Sequence, residues 1–539
     1  MGMRTALLIL AWLLAIALTG HVHTGQVCVG QGIAPLPALR ADEFRPSSHP
    51  KQHTTDANRL YEGSLSCASA ACHGRIGQRF GRLDRSRDEW TRWMRNDPHA
   101  RARHLLDSDA FQGLFERYVH GASDTASRRE RSLRCVPCHD PRGVDGDVAD
   151  SDPNRDPGRT EPRERGIGCE TCHGPSRPWV AAHVEPHRSR ANLRELGFID
   201  NQPLVERARQ CATCHVGTST ADVDHDMIAA GHPELYFEFS SYHARLPKHW
   251  SSVDERIATA HFEIQSWLAG QIACIQASLE LRIGRADRAR RNQQIGWPDL
   301  AEQSCFSCHQ RIRPADRSPS RPPAIRNAEI AARTWNPWHR PIHDQIVERA
   351  GLPPLDGNDP TFWRPMVQLT PATLPQHRDG LLASLQRAVG STTQHDSALQ
   401  PRELLAWLRD SNHTLSWEQA CQQVFAISAL ERSWDDELTI AVRQSRLSES
   451  ERDHYRDQTV ADRRLLQELR EALTYADGRR FPTIIDPLRQ SGRSPGKHYE
   501  LADVAAAIRL LAGHWESHGL ALPARPSPTH PEPFGTTNE

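Results

Sequence analysis

Four times the sequence repeats one order of cysteine, two variable residues, cysteine and histidine. The copies are Cys135-Val136-Pro137-Cys138-His139, Cys169-Glu170-Thr171-Cys172-His173, Cys211-Ala212-Thr213-Cys214-His215 and Cys305-Phe306-Ser307-Cys308-His309. With 13 cysteines and 29 histidines in 539 residues, chance would supply about 0.02 such motifs. Thiols at i and i+3 share one face of a helical turn, and the histidine at i+4 stands beside them. This is the order that covalent attachment of c-type haem requires. The sulfurs reach two vinyl groups and the histidine lies beneath the iron as proximal ligand. Zinc, the rival reading of paired C-x-x-C units, needs no histidine directly after every second cysteine.

A fifth segment, Cys67-Ala68-Ser69-Ala70-Ala71-Cys72-His73, places four residues between its cysteines. The extra pair can loop out while both sulfurs still reach a haem, so five haems c are expected; a disulfide or a single-thiol haem is the alternative. Three cysteines remain. Of these, Cys274 lies among Ile272, Ile275 and Leu279 and reads as a buried, inert thiol.

Each iron also needs a ligand on its distal side. Methionine is scarce, with only Met94 and Met227 in the region of the motifs, so histidine is expected on both sides. Asp97-Pro98-His99 reads as a helix start, with Asp as N-cap and Pro at the first helical position, which holds His99 rigidly. Trp179 and His183 stand i, i+4 on one helical face. His225 and His232 are two turns apart, between Asp224 as N-cap and Gly231 as C-cap. These four histidines are the expected distal ligands. His120, His243 and His249 are read first as structural histidines, with ligation as the alternative, and His120 is kept in the ligand set.

Several of these segments resemble a known family. Gly166-Ile167-Gly168-Cys169-Glu170-Thr171-Cys172-His173-Gly174-Pro175, with His183 following, is similar to the tetrahaem cytochromes c that accept electrons from hydroxylamine oxidoreductase, and to their larger multihaem relatives. Asp97-Pro98-His99-Ala100-Arg101-Ala102 resembles that family's first distal-histidine segment. The stretch from His225 to Pro233, running on to Leu246-Pro247-Lys248-His249-Trp250, resembles a longer subgroup. The likeness covers about residues 59–312 and implies haem binding and electron transfer. The four-residue spacer, the motif at Cys305 and the long C-terminal extension depart from the small members.

The rest of the chain frames this region. Residues 1–25 carry Arg4, an apolar run from Ala6 to Leu18 and then small residues, the pattern of a secretory signal, so an exported, periplasmic protein is expected. No later segment is long enough to span a bilayer. Residues 26–58 read as a tail, 59–313 as the multihaem domain, 314–324 as a Pro-rich linker, 325–521 as an all-helical domain and 522–539 as a disordered tail. In the C-terminal region, Ser416-Trp417-Glu418-Gln419 resembles a capping box. Apolar stripes follow at Ala420, Val424, Ile427 and Leu430, at Leu465, Leu466, Leu469 and Leu473, and at Val504, Ile508, Leu511 and Trp515.

The fold class expected is therefore mainly α, with haems forming the core of the first domain. An apolar share of 38% and a mean hydropathy of -0.63 are lean for this length unless haem fills part of the core. Lys+Arg (66) and Asp+Glu (67) nearly cancel, which gives no global field for nucleic acid. An electron-transfer protein serving redox partner proteins is the leading expectation. The competing readings are a redox enzyme for nitrite, nitric oxide or hydroxylamine with one open haem, and a complex docked through the C-terminal helices. No C-x-x-C-K occurs, so the lysine-ligated haem of pentahaem nitrite reductases is missing.

Overall fold

The computed structural model describes residues 60–76, 87–120, 124–141, 166–291, 299–303, 338, 401–410, 417–473 and 501–517. The signal segment, the tails, the linker and the motif at Cys305 lie outside these residues, as does Ser416 of the expected capping box. Helices make up the regular structure, and the described residues contain no β-strand, in line with the mainly α expectation. No helix among them is long and apolar enough to cross a membrane.

The elements used below are α1 (Glu89–Asn96), α2 (Val136–His139), α3 (Cys169–His173), α4 (Leu204–His215), α5 (His225–Ala230), α6 (Phe239–Arg245), α7 (Phe262–Arg291), α8 (Pro401–Asp410), α9 (Trp417–Arg443), α10 (Glu449–Gln458), α11 (Val460–Ala472) and α12 (Leu501–Ser517). The three described C-x-x-C-H motifs all fall on helical turns: α2, α3 and the end of α4.

α7 is the longest helix, with 30 residues, and it is buried nearly all round. One side packs on α4 and α6, where Ala273 and Cys274 meet Ala208, Ala212 and Phe239. Gly270 permits this approach, because a Cβ there would lie 2.5 Å from the Cβ of Phe239. The other side of α7 presents Ile264, Trp267 and Ile272 to a core built from α8, α9, α11 and α12. All three apolar stripes expected in the C-terminal region lie in that core, with Leu465 partly buried and the rest buried. A helix buried on opposite faces carries its polar residues inside, where they need partners. Glu263 accordingly pairs with Arg256 at 2.7 Å and with Arg432 of α9 at 3.1 Å, and Gln271 donates to Gln422 of α9 at 3.0 Å.

A capping box absent from the sequence expectations stands at Ser448, which exchanges hydrogen bonds with Glu451 at the start of α10. His261 occupies a left-handed turn with φ 53° just before α7.

Candidate haem-binding site

Local structure prepares each motif for its chemistry. In the first, a short 3₁₀ turn (Ser64–Cys67) leads into a tight return. The Cys72 and Gly74 amides both donate to Ser69 O at 2.9 Å, and the His73 amide returns to Cys67 O at 3.3 Å. The two additional residues are thus absorbed in a turn, and the chain closes on itself at the histidine. This requires Gly74, since a Cβ there would lie 1.7 Å from Ala68 O.

The segments expected to carry distal ligands are capped as their sequences imply. Asp97 accepts from the His99 amide at 3.0 Å with Pro98 at the first position, although the helix it opens is 3₁₀ (Pro98–Asp107). Asp224 accepts from the Met227 amide at 2.8 Å, and Gly231 closes α5 with φ 112°. Trp179 and His183 follow one another through an i, i+4 amide bond, with their rings 5.7 Å apart.

These elements bring eight histidines together in four facing pairs. Ring centres are separated by 6.3 Å for His73 and His183, 6.1 Å for His99 and His215, 6.5 Å for His139 and His232, and 6.3 Å for His173 and His249. In every pair, one ring follows a cysteine pair and the other comes from elsewhere in the chain. A metal–imidazole bond of about 2.0 Å, plus roughly 1.1 Å from ring nitrogen to ring centre, counted on both sides, gives about 6.2 Å for two imidazoles sharing one metal ion. All four separations lie close to that value. Direct ring contact would bring the centres nearer, as in the 5.1 Å stack of His215 on Phe237.

The hydrogen bonds agree with this geometry. Nδ1 is the bonded nitrogen in four of these rings: His73 to Glu89 Oε2 at 3.0 Å, His99 to Asp97 Oδ1 at 2.8 Å, His232 to Pro233 O at 2.8 Å, and His183 to Val180 O. That leaves Nε2 as the nitrogen open to a metal. Burial pushes His173 and His215 down to about 4, so both are neutral, the ligating form, at physiological pH. The His99 side chain is 41% exposed while its Asp97 partner is 5% exposed, so the ring is anchored from its buried side. Near the first pair, Trp90 and Trp179 leave buried indole N–H groups without a partner. Cysteine pairs free of disulfides and facing imidazoles together fit covalently bound haem. No cluster of three or more His, Cys, Asp or Glu that would hold a bare metal ion occurs among the described residues.

Residues 66–174 match the family model described as cytochrome c554 and c-prime. The match supports a c-type cytochrome acting in electron transfer. It covers the first three cysteine motifs together with Asp97-Pro98-His99. No curated protein and no solved structure matches the chain.

The expected site residues fall into distinct groups. His99, His183 and His232 each face a motif histidine. His225 is half-buried at the start of α5, its amide donating to Asp299 Oδ1 at 3.2 Å; Cys305, Cys308 and His309 lie outside the described residues. His120 is exposed and faces none of the described motif histidines. His249, ranked behind the others from sequence, completes the pair with His173. It follows α6 in an irregular stretch, and its flanking Trp250, 5.0 Å away ring to ring, was the available sign of a packed site. His243 is buried and takes a hydrogen bond from Arg207 at 2.9 Å, a structural role.

The motifs also meet one another. Cys67 lies beside Cys169, bringing the first motif to the third, and Cys138 lies beside Cys214, whose sulfur is 4.0 Å from Pro137 O, bringing the second to the fourth. Glu170 secures the first of these junctions. Its carboxylate accepts from the amides of Glu62 and Gly63 at 3.0 and 2.7 Å and from Ser176 N and Oγ at 2.8 and 2.6 Å, while the Cys169 amide donates to Ser64 Oγ at 2.7 Å. Asp222 supports the second. It binds Arg134, which precedes Cys135, at 2.5 Å, together with Arg285 and Arg288 of α7.

Proposed function

We propose that this chain is an exported electron carrier with five covalently bound haems, its described sites closed by histidine on both sides. The observation carrying this reading is the set of four facing histidine pairs at 6.1–6.5 Å. In it, Cys67 and Cys72 hold a haem between His73 and His183, Cys135 and Cys138 between His139 and His232, Cys169 and Cys172 between His173 and His249, and Cys211 and Cys214 between His215 and His99. Cys305 and Cys308 hold the fifth over His309. His225 is its distal partner in this reading, supported by the bond that ties the start of α5 to Asp299, six residues before Cys305.

Bound haem supplies reversible one-electron exchange at iron. The protein's part would be to hold two imidazoles for each iron, to close the sites to water and small molecules, and to bring successive motifs close. Histidine on both sides leaves no position for a substrate, and this favours carriage over turnover. Contacts of the first motif with the third and of the second with the fourth support a linked set of centres rather than isolated ones.

The test combines the intact mass of the secreted protein with its EPR spectrum. Five haems and low-spin signals alone are expected, with an alanine at His249 converting one haem to high spin. A four-haem mass would remove the Cys67 site. A high-spin haem in the unaltered protein, together with sustained consumption of nitrite, nitric oxide or hydroxylamine, would replace the carrier by the enzyme.

A further inference from the structure

The hydrogen bonds behind the paired histidines differ in kind from site to site. Glu89 Oε2 lies 3.0 Å from Nδ1 of His73, and Asp97 Oδ1 lies 2.8 Å from Nδ1 of His99. Both acceptors are carboxylates. Elsewhere the acceptors are neutral: Pro233 O serves His232 and Val180 O serves His183. Nδ1 of His173 and Nδ1 of His249 are buried without a partner of hydrogen-bond geometry. Among the described residues, the His73–His183 and His99–His215 pairs, those of the first and fourth motifs, therefore each hold one carboxylate-bonded histidine, and the His139–His232 and His173–His249 pairs hold none.

The two carboxylates are placed by one short element. Glu89 is the first residue of α1 and Asp97 caps its end, so a helix of eight residues, about 12 Å at 1.5 Å per residue, carries one at each end. Its attachment is firm. The Trp90 amide donates to His73 O at 3.0 Å, and Arg92 donates to Lys248 O at 3.3 Å. Asp97 is buried and is fixed a second time by the His99 amide at 3.0 Å.

We propose that Glu89 and Asp97 are positioning residues that lower the reduction potentials of the first and fourth haems. A carboxylate accepting the Nδ1 proton draws it away from the ring and gives the imidazole anionic character. The opposite nitrogen becomes a stronger donor, and the oxidised, more highly charged iron is favoured. The second and third sites lack this hydrogen bond, and only the weaker through-space effect of Asp97 and Glu89 reaches His249 of the third, so α1 grades the set of centres rather than merely holding two rings. The inference rests on the bis-histidine reading above.

The experiment uses the full haem-loaded protein with Glu89→Gln, Asp97→Asn and, as a charge control, Asp88→Asn. Glutamine and asparagine keep an oxygen acceptor for the ring while removing the charge. Spectroelectrochemical titration should show, for each of the first two variants, one centre whose reduction equilibrium shifts toward the reduced form by about tenfold, which for one electron is about 59 mV. EPR should remain low-spin, and the control should leave all potentials in place. Low-spin variants with unmoved potentials would overturn the tuning role while leaving the ligation reading intact. An equal shift in Asp88→Asn would also overturn it, as a general effect of charge. Absence of bis-histidine signals from the unaltered protein would remove both readings.

Discussion

Replacing Glu170 by glutamine tests the idea that this side chain clamps the first motif to the third. The carboxylate is 3% exposed and receives four neutral donors, three on Oε1 and one on Oε2. Glutamine can keep its oxygen where Oε1 stands, but its NH₂ then confronts the Gly63 amide, donor against donor. A buried unsatisfied donor costs about 1–3 kcal/mol, and three charge-assisted bonds weaken toward neutral ones at roughly 0.5–1 kcal/mol each. The expected loss is therefore about 2.5–6 kcal/mol, on the order of a 10 °C fall in melting temperature. Thermal unfolding of the haem-loaded protein measures the total, and hydrogen exchange at the Glu62 and Gly63 amides locates it. The loosening should centre on residues 62–67, where the clamp acts. A melting shift under roughly 2 °C, with both amides still protected, would refute the reasoning.

Two further outcomes follow from buried charge. Burial, reinforced by Lys248, Arg207, Arg256 and Arg432, holds His243 well below its usual range, so the unfolded chain takes up the proton first as pH falls. Its contribution is intact above about pH 6.5 and declines below that by up to about 1.4 kcal/mol per pH unit; stability measured against pH should lose this slope in His243→Gln. Asp222→Asn leaves Arg134, Arg285 and Arg288 facing one another without their shared anion, at a cost of about 3–5 kcal/mol seen as a lower denaturant midpoint.

Legibility in the sequence followed how local the cause of each feature is. His99 and His232 could be read because nearby caps place them, Asp97 with Pro98 directly before His99, and Gly231 directly before His232 at the end of the helix that Asp224 opens. His183 could be read through Trp179 one turn earlier. His249 has no such neighbour pattern. It leaves α6 through Leu246-Pro247-Lys248 and reaches His173 only because distant segments fold around it. His120 shows the converse: it follows a helix (Asp109–Tyr118) within the motif region, yet the chain turns it outward. Neither Glu89 nor Asp97 could be assigned a partner from spacing alone, since a carboxylate sixteen residues from one histidine and two from another carries no periodic signature.

The same distinction explains α7. Polarity alone would send Glu263, Gln271 and Gln276 to solvent, yet each is buried. Two have partners on α9, Glu263 pairing with Arg432 and the Gln271 NH₂ donating to Gln422, while Gln276 accepts from Arg209 of α4 at 2.9 Å. Just before α7, the His261 amide donates to Glu437 at 3.0 Å. Apolar contacts tolerate small slips along a helix, whereas buried hydrogen bonds do not, because a displaced partner leaves an unsatisfied group on each side. These polar pairs therefore set the register between α7 and the C-terminal helices. The opposite side of α7 packs on α4, which carries His215, so the register fixed by α9 reaches the fourth motif through a single continuous helix.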